Sequence, residues 1–176
     1  GGGEYVATRL AEVFGQSEIL SFGSPEGDNP YGNIVFRDIT NSLSYPRIRR
    51  LQQRVDRVFE YAMWEDVDWR KFGNPDVLIT SGSTTRAVIT PESTTHVNYC
   101  HSPPRWLYDL YHNRKRSLIG TVSRPLIRYL RMRDISVDSR VDRYVANSPV
   151  VQNRIQSFWN RDSPVVFPPI DTGSYW

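Results

Sequence analysis

The chain has 176 residues, of which 39% are apolar and 12% aromatic, enough for one globular domain with a single core. Lysine and arginine total 22 against 19 aspartate and glutamate, a net charge of +3 that favours anionic partners only weakly. The single cysteine, Cys100, excludes an internal disulfide and a multi-cysteine zinc site, which predicts a cytoplasmic location. No apolar run approaches the roughly 20 residues that span a bilayer, so any membrane contact is expected to be peripheral.

Two amphipathic helices and four short strands are predicted in the first hundred residues. Apolar residues recur at helical spacing in two sets, Val6, Leu10, Val13 and Phe14, and then Ile48, Leu51, Val55, Val58, Phe59 and Ala62. Short apolar runs flanked by Gly, Pro, Asn and Asp predict buried strands at residues 18–22, 34–36, 76–80 and 95–100. We expect each helix to bury one face.

The C-terminal part continues the alternation of strands and helices. A strand at 144–146 leads to Ser148, a predicted N-cap with Pro149 at the first helical position. That helix has the apolar stripe Val151, Ile155 and Phe158, and two prolines stop a last strand at 165–167. This alternation predicts an α/β fold: a Rossmann-like, doubly wound, mainly parallel sheet with helices on both faces. Because a glycine turn opens the chain with no strand before its first helix, the first strand is expected to be missing.

A histidine lies where the strand at 95–100 ends. His101 is followed by Pro103 and Pro104, which stiffen the loop. Ligands of parallel sheets collect at the carboxyl ends of the strands, and imidazole donates or accepts protons near neutral pH. His101 is therefore a candidate catalytic residue, expected to lie beside the glycines that open the chain. The alternative is a histidine that caps the next helix.

Two segments of small residues are candidate ligand loops. Gly2 and Gly3 begin a helix, where backbone N–H groups can approach a phosphate; the alternative is that Glu4 itself satisfies the helix dipole. Ser81, Gly82 and Ser83 follow the strand at 76–80, and small side chains there permit close approach by a ligand. The alternative is an ordinary strand-to-helix loop.

A mixed aromatic and charged segment follows His101. It is predicted to be a helix and contains Arg105, Trp106, Tyr108, Asp109 and Tyr111. Stacking surfaces beside a cation suit a carbohydrate. Alternatively the segment is half core, because Trp106 and Leu110 share a helix face at the i, i+4 spacing.

A basic helix is predicted after it. Arg124, Arg128 and Arg131 recur on one side, above the apolar residues Leu126, Ile127 and Leu130. Such a helix can lie against anionic lipid headgroups. The alternative is a solvated face whose arginines pair with Asp134 or Asp138.

Metal and nucleic-acid sites are not expected. His96, His101 and His112 have no recognised ligand spacing. Neither a helix-turn-helix nor an aromatic RNA-binding sheet motif is present. We therefore expect no metal, no cofactor and no nucleic-acid partner.

Several short motifs occur in a fixed order along the chain. They are Gly2-Gly3-Glu4, then Tyr99-Cys100-His101-Ser102-Pro103, then Arg105-Trp106 with Asp109-Leu110-Tyr111, then Asp142 to Ser148, and Pro168-Pro169-Ile170-Asp171. Their order and intervals resemble the N-terminal domain of GT-B-fold glycosyltransferases of family 4, nearest to the mannosyltransferases of polysaccharide assembly. The chain departs from that pattern where Arg143 is inserted before Tyr144.

The resemblance implies a retaining glycosyltransferase that transfers a sugar such as mannose from a nucleotide-diphosphate donor to a glycan or lipid-linked acceptor. It implies that Gly2 and Gly3 contact the donor diphosphate, that His101 faces the transferring sugar, and that Arg105, Tyr108 and Asp109 line the acceptor side.

In terms of domains, the resemblance assigns residues 1–171 to the N-terminal, acceptor-side domain and 172–176 to the start of a linker. The nucleotide-binding domain is expected to be absent, so this chain alone is expected to be inactive. Location is expected to be cytoplasmic, with peripheral contact at the inner face of the membrane. The competing hypothesis is a non-catalytic Rossmann-like binding or scaffold domain.

Overall fold

The fold is described from a computed structural model, for residues 2–15, 17–22, 34–39, 60–68, 71–108 and 124–170. Its strands are β1 (Glu18–Ser21), β2 (Val35–Asp38), β3 (Val77–Ser81), β4 (Thr95–Cys100) and β5 (Arg143–Ala146). Its helices are α1 (Gly2–Phe14), α2 (Arg124–Ser136) and α3 (Pro149–Trp159), with short 3₁₀ helices at Thr85–Ala87 and Val137–Arg140. Residues 60–65 are also helical.

Every strand pairing among the described residues is parallel. β1 pairs with β2, beginning at Glu18 opposite Val35. The other sheet has the order β3-β4-β5, with Ser81 opposite Tyr99 and Cys100 opposite Ala146. Parallel strands need long crossovers, and here these include helical segments. The structure therefore confirms the predicted α/β class, with parallel sheets and helices compatible with a Rossmann-like fold.

Helix α3 begins as the sequence predicts. The Ser148 side chain accepts a hydrogen bond from the Val151 N–H, and Pro149 occupies the first turn. Val151 and Ile155 are buried as predicted for its apolar stripe. The helix ends at Asn160, whose left-handed backbone, with φ of 53°, forms the C-cap.

Helix α1 buries a face that matches the predicted one only in part. Val13 and Phe14 are 79% and 60% exposed, so the predicted stripe is wrong at its C-terminal end. Val6 is buried as predicted, and Thr8 and Ala11 are buried with it. Thr8 tolerates burial because its hydroxyl donates to the Tyr5 carbonyl oxygen at 2.8 Å, which satisfies it within the helix.

Two further predictions need correction. The strand predicted at 165–167 is reduced to one bridge, between Val165 and Ala146, because the prolines that follow cannot extend a ladder. Of the stripe predicted between Ile48 and Ala62, only Ala62 is described, and it is exposed. The neighbouring Tyr61 is buried in its place.

Two apolar clusters form most of the described core. One packs β4 and β5 against α3, through Cys100, Val141, Tyr144, Ala146, Val151, Ile155 and Trp159. The other joins the two sheets, because Leu20 of β1 and Leu78 of β3 pack against the same buried residues, Ile39, Val67 and Val88. Burial of Cys100 raises the pKa of its thiol to about 12, so the thiol stays protonated.

A buried ion pair joins these elements. Arg86 and Asp134, both with fully buried side chains, form a salt bridge, and the same guanidinium donates to the Asp134 carbonyl oxygen at 2.8 Å. The carboxylate also accepts from the Tyr61 hydroxyl at 2.6 Å, the Tyr108 hydroxyl at 2.6 Å and the Trp159 indole N–H at 2.8 Å. We call this group of five residues the Asp134 hub.

Replacing Asp134 with asparagine should lower the free energy of unfolding by about 3 to 5 kcal/mol, because the Arg86 charge would stay buried without its partner. Urea unfolding followed by tryptophan fluorescence measures this. Asp162→Asn makes the same chemical change at an exposed position and should stay within about 0.5 kcal/mol of the native chain. A loss below about 1 kcal/mol for Asp134→Asn would contradict a central role for the ion pair.

Candidate functional site

The carboxyl ends of β3 and β4 bring two predicted site residues together. Ser81 is the last residue of β3, and His101 follows the last residue of β4. Because the two strands are parallel neighbours, both residues lie at the same edge of the sheet. Ser81 Oγ and His101 Nε2 are 2.9 Å apart, within hydrogen-bond distance.

The first turn of α1 reaches the same place. A methyl group on Gly3 would lie 3.5 Å from His101 Nε2 and 4.0 Å from Cε1, so the backbone of this turn packs against that edge of the imidazole. Gly2 begins the same helix. The predicted position of His101, at the carboxyl edge of the sheet, is therefore confirmed, and it lies beside Gly3.

The loop after β3 is held in place on both sides. Gly82 has a φ of +127°, which only glycine adopts readily. Its N–H donates to the Tyr99 carbonyl oxygen at 3.3 Å, and its own carbonyl oxygen accepts from Asn98 Nδ2 at 2.9 Å. The Ser83 carbonyl oxygen accepts from Arg86 Nε at 2.9 Å. The loop predicted to contact ligand is thus tied both to β4 and to the Asp134 hub.

His101 is half-buried, and burial holds its pKa below the ordinary value. Its ring is therefore neutral at neutral pH, with one nitrogen a donor and the other an acceptor. The ring also meets Tyr99 edge-on, with centroids 5.3 Å apart. A neutral imidazole at this edge can accept or donate a single proton or hydrogen bond.

His96 is the contrasting case. It is fully buried, with Nε2 2.9 Å from Thr80 Oγ1 and Nδ1 2.7 Å from the Arg140 carbonyl oxygen. Since a carbonyl oxygen only accepts, Nδ1 carries the proton and Nε2 accepts from Thr80. Both nitrogens are occupied within the core, which gives His96 a structural role.

The residues predicted for the acceptor side are not arranged as expected. Residues 105–108 form a turn where a helix was predicted, and Asp109 lies outside the described residues. Arg105 is exposed. Tyr108 donates its hydroxyl to the Asp134 hub and stacks on Phe158 with ring centroids 4.3 Å apart. Leu107 is the buried apolar residue of this turn. Trp106, which was the alternative core residue, is only partly buried.

Helix α2 differs from the predicted basic helix because one of the three predicted surface arginines faces inward. Arg124 and Arg128 are exposed, but Arg131 Nε donates to the Leu107 carbonyl oxygen at 2.6 Å, so Arg131 packs inward. The suggested pairing with Asp134 or Asp138 is wrong for these arginines in the described contacts, because Asp134 binds Arg86 and Asp138 binds Arg161. The outer face carries the exposed side chain of Leu126, from the predicted apolar set, and three exposed apolar side chains that were not predicted, namely Tyr129, Met132 and Ile135.

Two buried polar residues that hold the loop after β3 were not predicted from the sequence. Asn98 and Arg86 are fully buried, one in the middle of β4 and the other in the 3₁₀ helix after the Gly82 loop. An asparagine inside an apolar strand is unusual, because burying an amide is costly without partners. Asn98 was therefore the one feature of the sequence that could have indicated these buried polar residues.

Comparisons with known proteins found nothing similar: no family model, curated protein or solved structure matches the chain. Within the described residues, no group of three or more His, Cys, Asp or Glu side chains is placed to hold a metal ion. None of the described helices is long and apolar enough to cross a bilayer.

The two histidines predict how stability depends on pH. Burial lowers the pKa of both His96 and His101 from 6.5, so the unfolded chain takes up protons first as the pH falls. The free energy of unfolding should therefore decrease between about pH 7.5 and 5.5. In His96→Gln the decrease should be shallower, since only His101 of this pair remains. Urea unfolding across this range measures both slopes; a flat native profile, or equal slopes, would contradict the assignment.

Proposed function

We propose that this chain forms one wall of the active site of a retaining glycosyltransferase, which uses a nucleotide-diphosphate sugar and a glycan or lipid-linked acceptor. The proposal rests on the motif resemblance and on one structural observation. The first turn of α1 and the end of β3 both lie against the imidazole of His101, the residue that follows β4. Parallel α/β folds bind ligands at this edge.

The chemistry of this corner suits a diphosphate and a sugar. The first N–H groups of a helix have no partner within the helix, and the helix dipole favours an anion at this end. Gly3 presents no side chain between that backbone and the imidazole. A donor diphosphate at the turn would therefore place its attached sugar near His101, where a neutral ring can bond a sugar hydroxyl.

Two of the residues proposed for the acceptor side, Arg105 and Tyr108, are among the described residues. Of these two, Arg105 has an exposed side chain. Tyr108 contributes through position, because its hydroxyl is bound to Asp134 and its ring to Phe158. It fixes the turn that carries Arg105. In this proposal a second domain would provide the base-binding wall, and this chain alone would bind nucleotide sugars weakly.

Gly3→Ala tests the site directly. The added methyl group would sit at ordinary contact distance, 3.5 Å from His101 Nε2, so folding should survive, with a helix-propensity gain of up to about 1 kcal/mol. The methyl group would nevertheless occupy the space between the turn and the imidazole. NMR titration with UDP-, GDP- and ADP-linked sugars should give dissociation constants of about 1 mM for the native chain with its preferred donor, and roughly tenfold weaker binding for Gly3→Ala.

The matched control is Val13→Ala, which raises helix propensity in the same helix at a 79% exposed position. It should bind nucleotide sugars as the native chain does. Unchanged binding by a folded Gly3→Ala variant would contradict the proposed site. So would the failure of every nucleotide sugar to shift the Gly3 amide and the His101 ring at concentrations of about 20 mM, far above a millimolar constant.

We further propose that the outer face of α2 makes peripheral contact with an anionic membrane. Two exposed arginines, Arg124 and Arg128, share this face with large apolar side chains, of which Tyr129 and Met132 are 59% and 63% exposed. A helix with cations and apolar groups on one exposed face can lie at the boundary between headgroups and acyl chains. Such a contact would bring the acceptor side of the protein to a lipid-linked acceptor.

A double substitution, Arg124→Gln with Arg128→Gln, should weaken binding to vesicles of phosphatidylserine and phosphatidylcholine about 30-fold, because each arginine near an anionic surface contributes about 1 kcal/mol. Co-sedimentation at low salt measures it. The control, Arg9→Gln with Arg143→Gln, makes the same change of net charge at exposed positions elsewhere and should pellet nearly as the native chain does. Equal loss in both double variants would assign the binding to net charge and contradict a contact through α2.

A further inference from the structure

We propose that Ser81 is a positioning residue, whose hydroxyl donates to His101 Nε2 and holds the imidazole in the Nδ1–H tautomer with its Nε2–Cε1 edge toward Gly3. The role of this hydrogen bond in the reaction rests on the proposed function. The hydrogen bond rests on the geometry of Ser81 and His101, and the tautomer rests on the basicity of the ring nitrogen and on the parallel with His96.

Nε2 of His101, the residue after β4, lies close to both β3 and the first turn of α1. Nε2 lies 2.9 Å from Ser81 Oγ and 3.5 Å from the position that a methyl group on Gly3 would take. Ser81 belongs to β3 and is fixed by its pairing opposite Tyr99. A side chain on a paired strand is a firmer anchor than one on a loop, so Ser81 determines which edge of His101 meets α1.

Either group can donate, and we assign the direction of the hydrogen bond from the basicity of the ring nitrogen. The bare nitrogen of a neutral imidazole is a much stronger base than a hydroxyl oxygen, and the hydroxyl hydrogen rotates freely to meet it. The neighbouring pair shows the same arrangement: Thr80 Oγ1 lies 2.9 Å from His96 Nε2. There the Arg140 carbonyl oxygen at Nδ1 leaves only the Nδ1–H tautomer, so the hydroxyl donates.

A single fixed tautomer would matter for catalysis. An imidazole held in one orientation presents its donor and acceptor at set positions, so no ring flip or proton shift is needed when charge develops in the transition state. Loss of the Ser81 hydroxyl should therefore lower kcat more than it raises KM.

Two shape-matched variants, Ser81→Thr and Ser81→Val, separate the hydroxyl from the added bulk. In this chain, ¹⁵N NMR of the imidazole should find the Nδ1–H tautomer in the native chain and in Ser81→Thr. In Ser81→Val the ratio of the two tautomers should change about fivefold, the factor that corresponds to losing one hydrogen bond of about 1 kcal/mol. Ser81→Ala, which adds no bulk, should behave as Ser81→Val does.

Turnover is then measured in the native protein that contains this chain, with His101→Ala as reference. We expect about 10²-fold lower kcat for His101→Ala, and about tenfold lower kcat for Ser81→Val than for Ser81→Thr with similar KM. Identical tautomers in Ser81→Thr, Ser81→Val and Ser81→Ala would overturn the inference, whatever the activity. A tautomer change with native turnover in both Ser81→Val and His101→Ala would uphold the positioning and overturn the catalytic role, which is a failure of the proposed function alone.

Discussion

The ion pair between Arg86 and Asp134 connects most of the described elements that surround the three-stranded sheet. The carboxylate belongs to α2, and its partners come from the helical segment 60–65, the turn after His101 and α3. The Arg86 guanidinium also lies over the Trp159 ring, 4.0 Å from its centroid. Two fully buried charges are costly to desolvate, and here the cost is offset by four donor groups on one carboxylate. The cluster thus ties the packing of these elements to one buried carboxylate.

The same hub reaches the candidate site from two directions. Arg86 Nε binds the Ser83 carbonyl oxygen in the loop after β3, and Tyr108 ends the described turn that follows His101. The loops on both sides of the imidazole are therefore fixed to one buried group. This is the expected relation between a site on loops and a rigid scaffold beneath it, and it explains how these two loops can keep a defined geometry.

Two consecutive hydroxyl residues give the two histidines different roles. Thr80 and Ser81 point to opposite faces of β3, because side chains alternate along a strand. Thr80 meets His96 in the core, where both ring nitrogens are occupied. Ser81 meets His101 at the sheet edge beside the first turn of α1. The pleat of one strand thus separates a fully buried histidine from one that is half-buried at the sheet edge.

The sequence by itself determined the class of the fold and the position of the candidate site. Local signals were sufficient for β3, β4, β5 and the capped start of α3, because periodicity, caps and prolines act within a few residues. The strand-end rule then predicted the position of His101 at the sheet edge, where it lies beside Gly3. Tertiary structure alone decided the pairing of Arg86 with Asp134, 48 positions apart, the inward turn of Arg131, and the exposure of Val13 and Phe14. Each of these depends on which residues pack against a helix. The spacing of apolar residues predicts a helix face but does not identify the residues that pack against it.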